Sequence, residues 1–140
     1  MARAVRSDKP RLLENIVCVK GLLLSASGAQ PTTDKAGAAH MHNTRGLGLA
    51  NCLAAYDVGV KTFASSLGGL GGCPYAPGAS GNVVTEDLVF MFEAMGIRTG
   101  IDIPKLLAAR EALHQGLPEE PIFGMVADAG LPKGWRQAGP

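Results

Sequence analysis

Aromatic side chains are scarce in this sequence, at 5% of its 140 residues with a single tryptophan. Because proteins bind single-stranded nucleic acids largely by stacking bases on aromatic rings, this composition does not favour that function. Charge is also sparse, since charged residues make up 18% of the chain and the formal net charge is +1. Without a basic excess there is no electrostatic attraction to nucleic acid or to an anionic membrane. We therefore expect neither as a partner.

The sequence also lacks a cysteine framework and a long hydrophobic run. Cys18, Cys52 and Cys73 form an odd set without regular spacing, which indicates free thiols in a reducing compartment. The apolar run IVCVKGLLL is nine residues long, far short of the roughly 20 residues that span a bilayer. Asp8 and Glu14 argue against an arginine-rich transit peptide at the start of the chain. These features predict a cytoplasmic protein.

From residue 38 onwards, strand-like and helix-like segments alternate. AAHMH and KTFASS are predicted strands, and GLANCLAAYDVG between them is a predicted helix whose core face carries Leu49, Cys52, Leu53 and Tyr56. TEDLVFMFEAMG is a second predicted helix, with Thr85 as its N-cap and with Val89, Phe92 and Met95 facing the core. IPKLLAAREALHQG is a third. This order indicates an α/β fold with parallel strands.

We divide the chain into three parts. Residues 1–37 are poorly defined, apart from IVCVKGLLL as a candidate third strand. Residues 38–116 hold the strand and helix signals and form the predicted domain. Residues 117–140 are rich in proline and glycine, which predicts an extended C-terminal tail.

The most distinctive segment is GGLGGCPYAPGASGN, residues 68–82, which contains six glycines and two prolines. Glycine-rich backbone can approach a phosphate, but the spacing matches neither a P-loop nor a GxGxxG dinucleotide motif. The segment also carries Cys73. Because a mobile loop can bring a thiol into a site and close over a substrate, we interpret Cys73 as an acid/base or nucleophile rather than an inert loop thiol.

His40 and His42 stand two residues apart on the first predicted strand, so their side chains project from the same face. In parallel α/β sheets, ligands bind at the carboxyl ends of the strands. The two imidazoles would form half of a metal site, although one exposed and one packed histidine would explain the pattern equally well. His114, in the last predicted helix, is expected to be exposed.

Asn82 ends the glycine-rich segment and offers a carboxamide oxygen that can join His40 and His42 as a metal ligand. A carboxylate is expected as a fourth ligand, because three neutral ligands leave a divalent cation under-neutralised. Glu86 and Asp87 follow closely, but both also suit the positive end of a helix. Imidazole ligands favour zinc, iron or manganese over magnesium.

HMHNTRGLGLAN and GGLGGCPYAPGASGNVVTEDLVFMFEAMGIRTGID resemble the C-terminal part of hydroxymethylglutaryl-CoA lyases, which belong to the aldolase-type, metal-dependent TIM-barrel superfamily. The resemblance runs from about residue 38 to about residue 107, and GLGGCPYAPGASGN with TEDLV is specific to these lyases. It implies cleavage of 3-hydroxy-3-methylglutaryl-CoA to acetyl-CoA and acetoacetate. The fold that it implies is a C-terminal fragment of a (β/α)8 barrel, with two or three parallel strands and flanking helices.

The resemblance also implies roles for individual residues. A Mg²⁺ or Mn²⁺ ion would be held by His40, His42 and Asn82. Cys73 would be the catalytic acid/base, and Glu86 matches a glutamate that supports the catalytic site. The partner would be a small-molecule acyl-CoA. The glycines that would let the loop close over this substrate are Gly71, Gly72, Gly78 and Gly81.

The chain departs from the family pattern in several places. It lacks the R-D-G-L-Q-type motif, with its metal-binding aspartate and catalytic arginine, and it lacks the mid-barrel catalytic aspartate. Ala64 stands where the family has an aspartate, and residues 1–37 do not resemble the segment that precedes H-x-H in the family. A TIM barrel takes about 250 residues and at least roughly 200, so we expect this chain to supply only the last two strands.

These departures leave three alternatives for the function. The chain is a lyase, or an inactive truncated remnant, or a module that binds metal or CoA without turnover. A complementing N-terminal half-barrel would reconcile the intact signature with the missing first half. A homo-oligomer is the other protein partnership that we consider.

Overall fold

The computed structural model describes residues 38–72 and 80–137. The predictions for residues 1–37, including the candidate third strand, lie outside the described residues. So do the predicted roles of Cys73 and Gly78. Within the described residues, no helix is both long enough and apolar enough to cross a membrane.

The chain divides into two compact units, and the first contains the sheet. Strands β1 (Ala39–His40) and β2 (Phe63–Ala64) pair in parallel, with Ala39 opposite Phe63. Helix α1 (Gly48–Asp57), most of which belongs to this unit, connects the two strands. The predicted strand, helix and parallel strand are confirmed, although each strand is shorter than its predicted segment.

Small side chains dominate the core of the first unit. Burial raises the pKa of the Cys52 thiol to about 12, so this cysteine stays protonated and serves packing rather than chemistry. Its predicted place in the core is confirmed. Leu53 and Tyr56, expected on the same face of α1, are only half-buried. The buried apolar residues of this unit are Ala39, Met41, Cys52, Ala55 and Val60.

The second unit is helical, and its described part comprises residues 42–49, 65–72 and 80–137. A 3-10 turn (Leu67–Gly69) follows the end of β2 and leads into the glycine-rich segment. Three helices come next, and the first of them contacts the 3-10 turn and both later helices. These helices are α2 (Thr85–Ala94), α3 (Ile103–Gly116) and α4 (Met125–Ala129).

The start of α2 corrects the prediction for Thr85. Val84 is the N-cap residue and provides no side-chain cap, while Thr85 is the first residue of the helix. The Thr85 hydroxyl instead lies 2.8 Å from the hydroxyl of Ser65, within hydrogen-bond distance. Thr85 therefore ties the helix to the segment that follows β2, which a local capping rule does not anticipate.

The core face of α2 is largely as predicted, with one correction. Val89 and Phe92 are buried, but Met95 is 47% exposed. Met95 is wrongly predicted because the helix ends at Ala94 and the next residues turn away. Gly96 produces that turn with a φ of +77°, the left-handed conformation that commonly ends helices.

The residues of α3 are the ones predicted, whereas the tail differs from its prediction. Asp102 caps α3 by accepting a hydrogen bond from the Lys105 N–H at 3.1 Å. His114, near the end of α3, is exposed as expected. Helix α4 interrupts the segment that was predicted to be extended.

Candidate functional site

Two residues of the glycine-rich segment, Gly71 and Gly81, lie against each other. We call this contact the loop neck. A Cβ built on Gly81 would lie 1.5 Å from the carbonyl oxygen of Gly71, and Gly81 has a φ of +77°. Only glycine satisfies both constraints, since any other residue would overlap the opposite backbone. Gly72 is exposed and has open space around its Cα. The two flanks of the glycine-rich segment are therefore in close backbone contact at Gly71 and Gly81.

The second half of the loop neck is fastened to the segment after β1. His42 and Asn82 form an isolated antiparallel bridge. The Asn43 N–H donates to the Gly81 carbonyl at 2.8 Å, and the Ser80 hydroxyl donates to the Asn43 carbonyl at 3.2 Å. These bonds bring together two of the three predicted metal ligands, His42 and Asn82.

The carboxamide of Asn82 has a defined orientation. Its Nδ2 donates a hydrogen bond of 2.7 Å to the Leu70 carbonyl oxygen. Its Oδ1 is buried and accepts no hydrogen bond within the part of the chain that the structure describes. Buried polar atoms are nearly always satisfied, and leaving one unsatisfied costs about 1–3 kcal/mol. A buried amide oxygen in this state suits a ligand that supplies positive charge, such as a divalent cation.

The third predicted ligand, His40, ends β1 in the first unit, whereas His42 and Asn82 belong to the second. Across residues 38–72 and 80–137, no group of three or more histidine, cysteine, aspartate or glutamate side chains is arranged to hold a metal ion. A metal site in the second unit would therefore depend on the Asn82 amide oxygen.

Glu86 is fully buried and holds the 3-10 turn that precedes the loop neck. Both of its carboxylate oxygens lie 3.1 Å from the Gly68 N–H, which donates to them. The guanidinium Nε of Arg110, on α3, lies 3.5 Å from Oε1. Glu86 thus makes specific tertiary contacts instead of only favouring a helix N-terminus. Its predicted catalytic role stays a prediction, and its described contacts are those of a positioning residue.

Asp87, the neighbouring acid, fastens a different segment. Its two oxygens accept hydrogen bonds from the Met125 N–H at 3.0 Å and the Val126 N–H at 2.8 Å. It therefore holds the beginning of α4. The described contacts of Asp87 are thus structural, since both of its oxygens accept hydrogen bonds from main-chain donors.

Three residues of this region were missed by sequence reasoning. The first is Asn43, whose side-chain oxygen accepts a hydrogen bond from the Gly48 N–H at the start of α1, at 3.0 Å. Asn43 lies five residues before Gly48 and is therefore not an N-cap residue. Asparagine side chains outside helices often bond to nearby main-chain N–H groups, and this tendency is the signal that the sequence offered. Gly68 and Arg110 carried no comparable signal, because their roles depend on the tertiary contact with Glu86.

The buried position of Glu86 predicts a pH dependence of stability. Desolvation raises its pKa above the ordinary value of 4.5, Asp87 adds to that effect, and the Gly68 hydrogen bonds and Arg110 oppose it. The folded state therefore holds the proton more tightly than the unfolded state. The free energy of unfolding should rise as the pH falls from the folded pKa towards 4.5.

Urea unfolding of the wild type and Glu86→Gln across this pH window measures the effect. Other titrating groups contribute equally to both proteins, so the difference between the two curves isolates Glu86. We expect the wild type to gain stability relative to Glu86→Gln as the pH is lowered. Parallel curves for the two proteins would contradict the raised pKa.

Comparison with known proteins shows which proteins this chain is similar to. The family model described as HMGL-like matches residues 29–113. The mitochondrial hydroxymethylglutaryl-CoA lyase of Pongo abelii is 50% identical over 99 residues, which cover 71% of this chain and 30% of that protein. The (R)-citramalyl-CoA lyase of Chloroflexus aurantiacus is 48% identical over 91 residues, which cover 65% of this chain and 28% of that protein.

A solved structure gives the same result. An HMG-CoA lyase from Acinetobacter baumannii, in complex with coenzyme A and 3-methylmalate, aligns with a TM-score of 0.65 and 48% identity. The alignment covers 75% of this chain and 34% of that one. The chain thus spans about a third or less of the length of each of these relatives.

Proposed function

We propose, since the chain belongs to the HMGL-like family, that it takes part in the metal-assisted cleavage of a carbon–carbon bond in an acyl-CoA. The observation that carries this proposal is the buried Oδ1 of Asn82, which accepts no hydrogen bond in the described structure. The backbone of Asn82 forms a bridge with the backbone of His42, another predicted metal ligand. A buried oxygen atom in this state would suit a divalent cation.

The fold proposed for the whole assembly is a TIM barrel, of which this chain forms the C-terminal part. The parallel pair β1 and β2, joined by α1, is the repeating unit from which such barrels are built. The remaining strands would come from further polypeptide, from a complementing chain or from another copy of this one. Further polypeptide or a complementing chain would also supply the aspartate and arginine of the R-D-G-L-Q-type motif, which another copy of this chain would lack.

The proposed cofactor is Mg²⁺ or Mn²⁺, held by the Asn82 oxygen and His42. His40, which the resemblance implies as a further ligand, stays a prediction. When bound, the metal would polarise the hydroxyl and carbonyl oxygens of the substrate and stabilise the negative charge that develops there. The Leu70 carbonyl accepts the hydrogen bond from Nδ2 of Asn82, so Oδ1 points away from Leu70. Oδ1 is therefore the amide atom that would bind the metal.

The proposed substrate class follows from the names of the relatives. Hydroxymethylglutaryl-CoA and citramalyl-CoA both carry a tertiary alcohol, with a methyl group, at the carbon β to the thioester. In the proposed reaction a base takes the hydroxyl proton and the bond between Cα and Cβ breaks, which gives a ketone and a thioester enolate. Protonation of the enolate carbon then yields acetyl-CoA. We assign this proton transfer to Cys73, a thiol on a glycine-rich loop.

Metal binding by this chain is the first test. Mn²⁺ at a hundred times its dissociation constant should stabilise the folded state by about 2.7 kcal/mol, which raises the melting temperature by roughly 8–10 °C for a domain of this size. Asn82→Ala and His42→Ala should remove most of that shift. His114→Ala, which alters an exposed histidine, is the matched control and should keep it. A wild-type melt that is indifferent to Mn²⁺ would contradict the proposed site.

Turnover separates the remaining alternatives. The chain is assayed with Mn²⁺ and 3-hydroxy-3-methylglutaryl-CoA, and acetoacetate is measured. Turnover that is lost in Cys73→Ser, while the Mn²⁺ shift is kept, would support the lyase with the assigned roles. An Mn²⁺ shift without turnover would favour the binding module, or a site that needs the rest of the barrel. Absence of both would favour the inactive remnant.

A further inference from the structure

We propose that Arg110 and the docking segment, which we define as Ile122–Val126, position Asn82 for metal binding. They act through Glu86 and Gly68 on the 3-10 turn that leads into the loop neck. The inference rests on the metal site of the proposed function. The docking segment lies beyond residue 113, where the family match ends, so that match by itself assigns it no role.

The first step links Asn82 to the 3-10 turn. The Asn82 amide is oriented by its hydrogen bond to the Leu70 carbonyl, at 2.7 Å. Leu70 follows directly on the turn Leu67–Gly69, and its N–H donates to the Leu67 carbonyl at 3.3 Å. Any displacement of this turn would therefore move the group that decides where Asn82 Oδ1 points.

The second step is the fixation of Gly68, the middle residue of the turn, from two sides. Its N–H donates to both carboxylate oxygens of Glu86 at 3.1 Å. Its carbonyl accepts a hydrogen bond of 2.7 Å from the Phe123 N–H. Gly68 has a φ of +61°, and a Cβ there would lie 3.0 Å from Cβ of Ile122. The docking segment therefore touches Gly68 so closely that a side chain would not fit without displacement.

The third step is the charge behind Glu86. A buried carboxylate needs compensation, and the Arg110 guanidinium supplies it at 3.5 Å. The Arg110 side chain is only 12% exposed, and its outer nitrogen lies 3.7 Å from Asp128, whose side chain is 77% exposed. The interaction of Arg110 with the buried Glu86 is thus closer and less exposed than its interaction with Asp128 at the surface.

The fourth step fixes the register of the docking segment. Asp87 accepts hydrogen bonds from the Met125 and Val126 N–H groups, which lie two and three residues after Phe123, respectively, in the same short segment. These two bonds leave the Phe123 N–H directed at the Gly68 carbonyl. The two adjacent acids of α2 therefore both help to hold Gly68. Glu86 accepts its N–H directly, and Asp87 fixes the docking segment that donates to its carbonyl.

Arg110→Met tests the proposal because it keeps the length and apolar stem of the side chain but removes its charge. Loss of a group that orients a metal ligand typically weakens metal affinity by about 10-fold to 100-fold. We expect a loss in that range when Mn²⁺ is titrated well below the melting temperature, where a lower stability alone would leave the affinity of the folded protein unchanged. Arg98→Met, at an exposed arginine, should bind Mn²⁺ as the wild type does.

A second variant and a second measurement keep the outcome decisive. Arg110→Lys keeps the charge without the planar fork, and we expect a smaller but measurable loss of Mn²⁺ affinity, which judges the proposal if Arg110→Met does not fold. The NMR shift of the Asn82 side-chain amide is read in the same variants without metal, and it should change in each Arg110 variant but not in Arg98→Met.

The two measurements separate this inference from the metal site itself. Wild-type affinity for Mn²⁺ in both Arg110 variants would overturn the inference while leaving the proposed site intact. A wild type that binds no Mn²⁺ would overturn the proposed site. In that case an unchanged Asn82 amide shift would overturn the positioning role as well, and a changed shift would support the link from Arg110 to Asn82.

Discussion

Gly81→Ala is expected to destabilise the folded chain by about 4 kcal/mol or more, which corresponds to a fall in melting temperature of roughly 12 °C or more. Two costs combine at this position. An alanine at a φ of +77° pays about 1–2 kcal/mol for the left-handed conformation. Its Cβ would also lie 1.5 Å from the Gly71 carbonyl oxygen, so the two sides of the loop neck would have to separate. Thermal or urea unfolding measures the loss.

Alanine variants at two other glycines of the same unit separate the conformational cost from the cost of the close contact. Gly46 has a φ of +73° but open space around it, so Gly46→Ala measures the conformational cost alone. Gly72 has open space and no left-handed φ, so Gly72→Ala should change stability by no more than about 0.5 kcal/mol. If Gly81→Ala costs no more than Gly46→Ala, the close contact at the loop neck does not exist in solution.

Separating the two sides of the loop neck should also disturb the proposed metal site. Asn82 follows Gly81 directly, and a Cβ on Gly71 would lie 2.6 Å from the Asn82 Nδ2. We therefore expect Gly81→Ala to lose the Mn²⁺-dependent rise in melting temperature along with its stability. Gly72→Ala should keep that rise.

Glu86→Ala is expected to cost about 3–5 kcal/mol, the range for removing one partner of a buried ion pair. The substitution leaves the Gly68 N–H without its acceptor and, among the described residues, leaves Arg110 with the exposed Asp128 at 3.7 Å as its remaining acidic partner. It also opens space in the interior, because Glu86 is 0% exposed. Urea unfolding at neutral pH measures the loss, and the slope with urea concentration shows whether unfolding stays cooperative.

Glu111→Ala on the exposed face of α3 is the matched control, with an expected change within about 0.5 kcal/mol. A double-mutant cycle with Arg110→Met completes the test. If the two side chains form one unit, the double variant should lose less stability than the sum of the single variants. An additive result would mean that Glu86 stabilises the protein through Gly68 alone.

The sequence alone predicted several elements because their signals are local. The residues of α3 follow from its apolar spacing, from a proline in its first turn and from the glycine at its end. The α/β class follows from the order of strand-like and helix-like segments, and the parallel pairing of β1 with β2 confirms it. The burial of Cys52 follows from its place among apolar neighbours at helical spacing.

The candidate site was predictable only in part. The motif predicted Asn82 and His42 as metal ligands, a role that stays a prediction, and the structure brings these two residues into one backbone bridge. It could not identify which atom of the Asn82 amide is left for a ligand, because that depends on the position of the Leu70 carbonyl, twelve residues earlier in the chain. Thr85 was misread for a related reason, since its hydroxyl pairs with Ser65 rather than with its own helix.

What the sequence by itself determined is the family, the α/β order of elements and the residue types available for chemistry, all of which depend on neighbours a few positions apart. Only the tertiary structure decided the tasks of the two acids that begin α2. Glu86 and Asp87 are adjacent and both suit a helix N-terminus, yet one holds Gly68 and the other holds the beginning of α4. The physical reason is that a buried carboxylate must find donors in space, and its donors here lie 18 to 39 residues away along the chain.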